Sequence, residues 1–227
     1  MKKLILLALM ALGIMKLNAE EYNFGDHSLA FSQIEKEWRN QNLYTGSYED
    51  NPNILDYFLG FSNAYPNDLM QNVIAVMLGR KEYGEYVIDK QNGYISAEVA
   101  TELEYKMQMC HWRCTDGSTL VGVALIGYEY IVPGFNAPEE DPNATYTDDD
   151  DDCEIHLCVN DMMFYRVLKN EVLWRPIVPE KLLGRTIDFH QYDIELPRYG
   201  KEIKLKHKDN PKLNLSFTWD GAKFIKK

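Results

Sequence analysis

Residues 85–99, EYVIDKQNGYISAEV, mark the place where the chain changes period. Before them apolar residues recur every three or four positions, the spacing of a helical face; from here on short apolar runs alternate with turn residues, the habit of strands. Asn92-Gly93 sits at the centre of the stretch. A tight hairpin turn needs positive φ, which this pair supplies at low cost, so 85–99 predicts two antiparallel strands.

Upstream, Ala30, Ile34 and Trp38 fall four apart with Phe31 beside them, giving one apolar face over Ser28–Asn40, with Asp26 or Ser28 as cap. Asn51 then reads as a helix cap ahead of Pro52, leading into Ile54, Leu55, Phe58 and Leu59. Tyr65-Pro66-Asn67-Asp68 opens a third helix through Leu69, Met70, Val73, Ile74, Val76 and Met77, which Gly79 ends.

Downstream the hairpin logic repeats. Thr115-Asp116-Gly117-Ser118 lies between YKMQMCHWRC (105–114) and TLVGVALIGYEYIV (119–132). Asn160-Asp161 and Lys169-Asn170 separate EIHLCV, MMFYRVL and EVLWRPI. Finally DFHQYDIELP passes through Arg198-Tyr199-Gly200 to KEIKLKHK, and LNLSFTW turns at Asp220-Gly221 into AKFIKK. Parallel strands need crossovers of a dozen or more residues, so connections this short predict antiparallel pairing. The expected class is α+β: N-terminal helices followed by an antiparallel β meander of about eight to ten strands. Residues 20–80 are expected to be mainly helical and 81–227 mainly β, together forming one domain. The segment 133–154 departs from this pattern. It holds three prolines and nine acids with no Lys or Arg, so it reads as an acidic loop.

The first 19 residues, MKKLILLALMALGIMKLNA, combine two lysines, an apolar run from Leu4 to Met15 and a small residue at Ala19. These are the parts of a cleavable export signal, in order and in size. The run is short of the roughly 20 residues that span a bilayer. The expectation is therefore a secreted or periplasmic protein with no membrane attachment after cleavage. Cleavage would remove Lys2, Lys3 and Lys16 and no acid, taking the formal net charge from −11 to −14. Such acidity argues against nucleic acid or an anionic membrane as partner, since both are held by clustered Lys and Arg. An unknown protein or glycan remains as the partner class.

Four cysteines occur as CHWRC (Cys110, Cys114) and CEIHLC (Cys153, Cys158). On one strand Cys110 and Cys114 stand too far apart to bridge, so any disulfide must cross strands. An antiparallel pairing of the two segments matches Cys110 with Cys158 and Cys114 with Cys153, given one bulge. Reduced buried thiols are the alternative. A metal site with the adjoining His111 and His156 is a third reading, although the spacing is not that of structural zinc. Asp148, Asp150 and Asp152 alternate as the first ligands of a calcium loop would. Cys153 then replaces the required glycine and Val159 the closing glutamate, so an EF-hand is excluded and only irregular calcium binding stays open. No nucleophile elbow, P-loop or dinucleotide fingerprint occurs, and no catalytic residue or cofactor is nominated.

ILDYFLGFSNAYP, NGYI, CHWRCTDGSTLVGVAL, MMFYRVLKNEVLWRPIVPE, YDIELPRYGKEIKL and LSFTWDGAKF follow one another across residues 54–227. This order resembles small exported β-rich proteins of Bacteroidetes that have no known activity. LPRYGKEI followed by FTWDGAKF is its most distinctive part. The resemblance implies export and a β-rich body, and carries over no catalytic residue. The functional expectation is a noncatalytic exported binding or interaction protein, with a hydrolase acting on glycan or peptide, or a calcium-stabilised structural protein, as alternatives.

Overall fold

The computed structural model describes residues 27–43, 52–66, 68–100, 104–127, 130–132, 155–157, 160–168 and 171–227. Three helices come first: α1 (His27–Asn40), α2 (Ile54–Ala64) and α3 (Asp68–Met77). The cap of α2 is Asn53 and not Asn51, because the reciprocal bonds form there: the Asn53 side chain accepts from Leu55 N at 2.9 Å, and Asp56 accepts from Asn53 N at 2.7 Å. This capping box satisfies the Asp56 carboxylate in a buried position. Gly79, at φ 81°, follows the end of α3 as the sequence predicts.

Twelve strands follow among the described residues. Six form one antiparallel sheet in the order β1 (Gly84–Asp89), β2 (Tyr94–Ala100), β3 (Glu104–Arg113), β4 (Thr119–Gly127), β7 (Asn160–Leu168), β8 (Glu171–Ile177). Four more form a second, ordered β12 (Phe224–Lys226), β11 (Leu215–Trp219), β10 (Glu202–His207), β9 (Tyr192–Glu195). β5 (Tyr130–Val132) and β6 (Ile155–Leu157) pair with each other alone. The class is α+β, and both main sheets are antiparallel meanders. Between the sheets in sequence lies α4 (Pro179–Leu183), absent from the sequence expectation, with Pro179 in its first turn and Gly184 at φ 71° closing it.

The six-stranded sheet is covered on both faces, and the period of two in β3 divides its side chains between them. Tyr105, Met107 and Met109 join Phe58, Val73 and Ile74 of the helices in one buried cluster. Cys110 and Trp112 join Trp219, Phe217 and Phe224 of the small sheet in another. Gly122 makes room for this second contact. A Cβ there would stand 2.8 Å from Trp112 Cζ3.

Polar side chains also cross between the sheets. Gln108 donates from Nε2 to Ile194 O at 3.3 Å and accepts from Leu196 N at 2.8 Å. Asn160 donates to Tyr192 O at 3.0 Å, and Trp219 Nε1 donates to Arg113 O at 2.9 Å. Two of these amides thus supply partners along the edge of β9, the outermost strand of its sheet. A buried edge left without them would carry unsatisfied backbone groups.

Candidate functional site

The hairpin that decides the fold also carries the best-organised polar cluster. Asp89 ends β1, and its backbone pairs with Tyr94, so the turn spans the four residues Lys90–Gly93 and not the tight two-residue form. The reason is local. Asp89 Oδ1 accepts from Asn92 N at 3.1 Å, which closes a wider turn and leaves positive φ to Gly93 alone, at 65°. Gly93 is required for a second reason, since a Cβ there would lie 2.3 Å from His111 Nε2.

The segment Leu196–Lys201 between β9 and β10 reaches back to this turn. Its Leu196 N–H is held by Gln108, and Gly200 takes φ 81°. Arg198 Nε then donates to Asp89 Oδ2 at 2.9 Å, and Asn92 Nδ2 donates to the same oxygen at 3.0 Å. One carboxylate thus holds a guanidinium and an amide side by side. Their bonds, the Arg198 one first, draw the Asp89 pKa below its usual value. Neither Nη group of Arg198 and neither lone pair of Asn92 Oδ1 has a hydrogen-bond partner among the described residues. The Arg198 guanidinium carbon stands 5.4 Å from the centre of the Tyr199 ring. Tyr199 is 68% exposed, the most of any large apolar side chain described.

Beneath lies Tyr94, whose hydroxyl pKa is raised by burial against the opposing effects of a Ser96 hydrogen bond and of Lys106 and Arg198. Lys106 is itself paired with Glu98. Of the cations in the corner, Arg198 and Lys106 each have their own carboxylate, whereas Lys90 Nζ donates to Leu43 O at 3.2 Å and Lys201 has no ion pair among the described residues. The corner presents hydrogen-bond donors, an acceptor and an open aromatic ring.

Cys110 and Cys114 are free thiols buried between the sheets. The strand that carries Cys110 is flanked by β2 and β4. Burial pushes the Cys110 thiol pKa well up, which keeps it protonated. Cys153 and Cys158 lie outside the described residues, as do Asp148, Asp150 and Asp152. Among the described residues no group of three or more His, Cys, Asp or Glu is gathered for a metal. His111 packs against the Tyr57 ring at 5.2 Å, and His207 Nδ1 accepts from the backbone of Asp209 and Asn210 in a turn.

A hollow of about 320 Å³ opens between the end of α3 and the start of β1, lined by Val76, Gly79, Lys81, Gly84, Glu85 and Tyr86. Its polar groups do not converge on one point as those around Asp89 do. The sequence reading singled out Asn92 and Arg198-Tyr199-Gly200 as turns and missed what they form together. An exposed Arg-Tyr in a Pro-and-Gly turn was the available signal; the partner 109 residues away was not.

Fold and site together define an α+β protein with helices and a small sheet on opposite faces of a larger sheet, and a rigid aromatic corner where the sheets meet. No protein-family model matches the chain, and no curated protein does. Among solved structures, a domain of an uncharacterized protein from Porphyromonas gingivalis W83 is similar, with 11% identity and a TM-score of 0.40. The match covers 77% of this chain and 98% of that one, a likeness too distant to carry an argument.

Proposed function

We propose that the protein is an exported, noncatalytic binding protein whose contact surface is the Asp89–Asn92–Arg198–Tyr199 corner. The observation that carries this reading is the exposure of Tyr199 on a turn fixed at several points. Binding energy concentrates in Tyr, Trp and Arg side chains, and ordering them in advance lowers the entropy cost of association. The make-up of residues 1–19 supports export, as does the resemblance of LPRYGKEI and FTWDGAKF to exported Bacteroidetes proteins.

Two measurements test the two halves. Expressed with its first 19 residues in a bacterial host, the protein recovered from outside the cytoplasm should have the mass of a chain beginning at Glu20; a full-length mass would remove export by this signal. On arrays of immobilised saccharides and peptides, the protein should give signals that the double variant Arg198→Ala/Tyr199→Ala loses. Signals equal in both proteins would place the contact surface elsewhere.

A further inference from the structure

We infer that the corner at Asp89 binds an uncharged saccharide, a reading that rests on the corner being the contact surface. Three features of the site select this ligand. The first is the pairing of planar polar groups. The Arg198 guanidinium and the Asn92 amide are both anchored on Asp89 Oδ2, so two planar polar groups share one carboxylate while the Nη donors and the Oδ1 acceptor are left without partners among the described residues. Neighbouring hydroxyls on a sugar ring each donate and accept, and such a pair matches that arrangement. A peptide backbone would offer its N–H and C=O groups farther apart and in alternating directions.

The second feature is the Tyr199 ring. Arg198 lies on it, and most of its remaining surface meets solvent. A pyranose has one face of C–H bonds, slightly positive and flat, which suits the negative face of an aromatic ring. The third feature is charge. Arg198 is matched by Asp89 and Lys106 by Glu98, while the whole chain carries a net −11. An anionic ligand would find the guanidinium beside the ring already paired and would meet the field of an acidic protein. A neutral polyol loses nothing on either account.

The test is titration of the purified protein with uncharged trisaccharides (maltotriose, cellotriose, mannotriose, N-acetylchitotriose), followed by ligand-observed NMR. Digalacturonate and an acidic and a neutral tripeptide serve as comparators. At least one uncharged sugar should bind, with an affinity that stays the same from low salt to about 0.5 M, since no charge is exchanged. Tyr199→Ala should weaken that binding about tenfold, the size expected for loss of an aromatic anchor. Arg198→Lys keeps the charge beside Asp89 but removes the fork, and should weaken it severalfold. Thermal unfolding of both variants should match the parent, because the side chains are exposed. No binding by any uncharged sugar, or binding indifferent to Tyr199→Ala, overturns the inference. Should digalacturonate or a peptide bind instead and be lost in Tyr199→Ala, the corner stands as the contact surface and only the saccharide is wrong; if no probe responds to Tyr199→Ala, both fall.

Discussion

On the helix side of the six-stranded sheet, Met107, Met109, Val121 and Val123 meet Phe58, Val73 and Ile74 in a cluster built from apolar groups; on the other side Trp112 and Phe164 meet Trp219 and Phe224, and Gln108, Asn160 and the Trp219 indole also form hydrogen bonds across the seam. Apolar contact is non-directional, and on the helix side it is supplemented by the Tyr57 hydroxyl, which donates to Thr119 Oγ1 at 3.2 Å, and by the Tyr105 hydroxyl, which donates to Leu69 O. Hydrogen bonds are directional, and Gln108 bonds the backbone of both Ile194 and Leu196. The small sheet is therefore registered on the large one. That matters for the corner, because Arg198 is two residues beyond Leu196 and must reach Asp89 on the other sheet.

The comparison is most severely tested at Trp219. Its ring lies 4.9 Å from that of Phe224 and 6.4 Å from that of Trp112, and its indole N–H bonds Arg113 O. Trp219→Ala should destabilise by about 3–5 kcal/mol in urea unfolding, with a single transition retained because β3 lines both clusters. Two separated transitions would show that the layers fold independently and break the comparison. Gln108→Leu is the sharper test. It fills the space but leaves Ile194 O and Leu196 N unpaired in a buried seam, which should cost about 2–4 kcal/mol. Met109→Leu, one residue along and facing the helices, should cost less than about 1.5 kcal/mol. Equal losses for the two would mean that the amide does not register the sheets.

Much of this fold was legible in short-range chemistry. Prolines and Gly79 bounded the helices, and turn residues such as Thr115–Ser118 separated strands that then paired with their sequence neighbours. What escaped was long-range. Nothing local announces that β9–β12 leave the first sheet and stack on its back, since alternation along β10 reads the same in either sheet. Cys110 shows the same limit: its strand and burial could be read, but the identity of the strands beside it could not, and the disulfide expectation rested on that identity. The corner falls between these cases. Asp89 and Asn92 are three residues apart and signal a turn together, whereas Arg198 joins them only through the stacking of the two sheets.

The helix-side seam also takes in a histidine, and it gives the smallest effect and the most selective one. His111 sits on β3 between the Tyr57 ring and the backbone of Gly93, with no partner for Nδ1. Burial, and then the charge of Arg113, lower its pKa to about 4 from the ordinary 6.5. The folded chain thus binds this proton less readily than the unfolded chain, so the neutral ring's contribution is complete above pH 6.5 and is lost as pH falls toward 4. Allowing for the ring's partial exposure, the loss should be about 2 kcal/mol over that window. Asp89 and Asp116, whose pKa values are lowered below 3.8 by their hydrogen bonds, lose their contributions only at still lower pH. Urea midpoints followed from pH 7 to pH 4.5 should therefore fall in the parent and stay flatter in His111→Leu. A slope shared by both would assign the acid sensitivity to other groups. Because His111 abuts Gly93, the same protonation should loosen the Lys90–Gly93 turn and with it the grip of Asp89 on Asn92, so that the protection of the Asn92 amide against hydrogen exchange, taken relative to an unstructured amide at the same pH, falls on acidification in the parent and not in the variant.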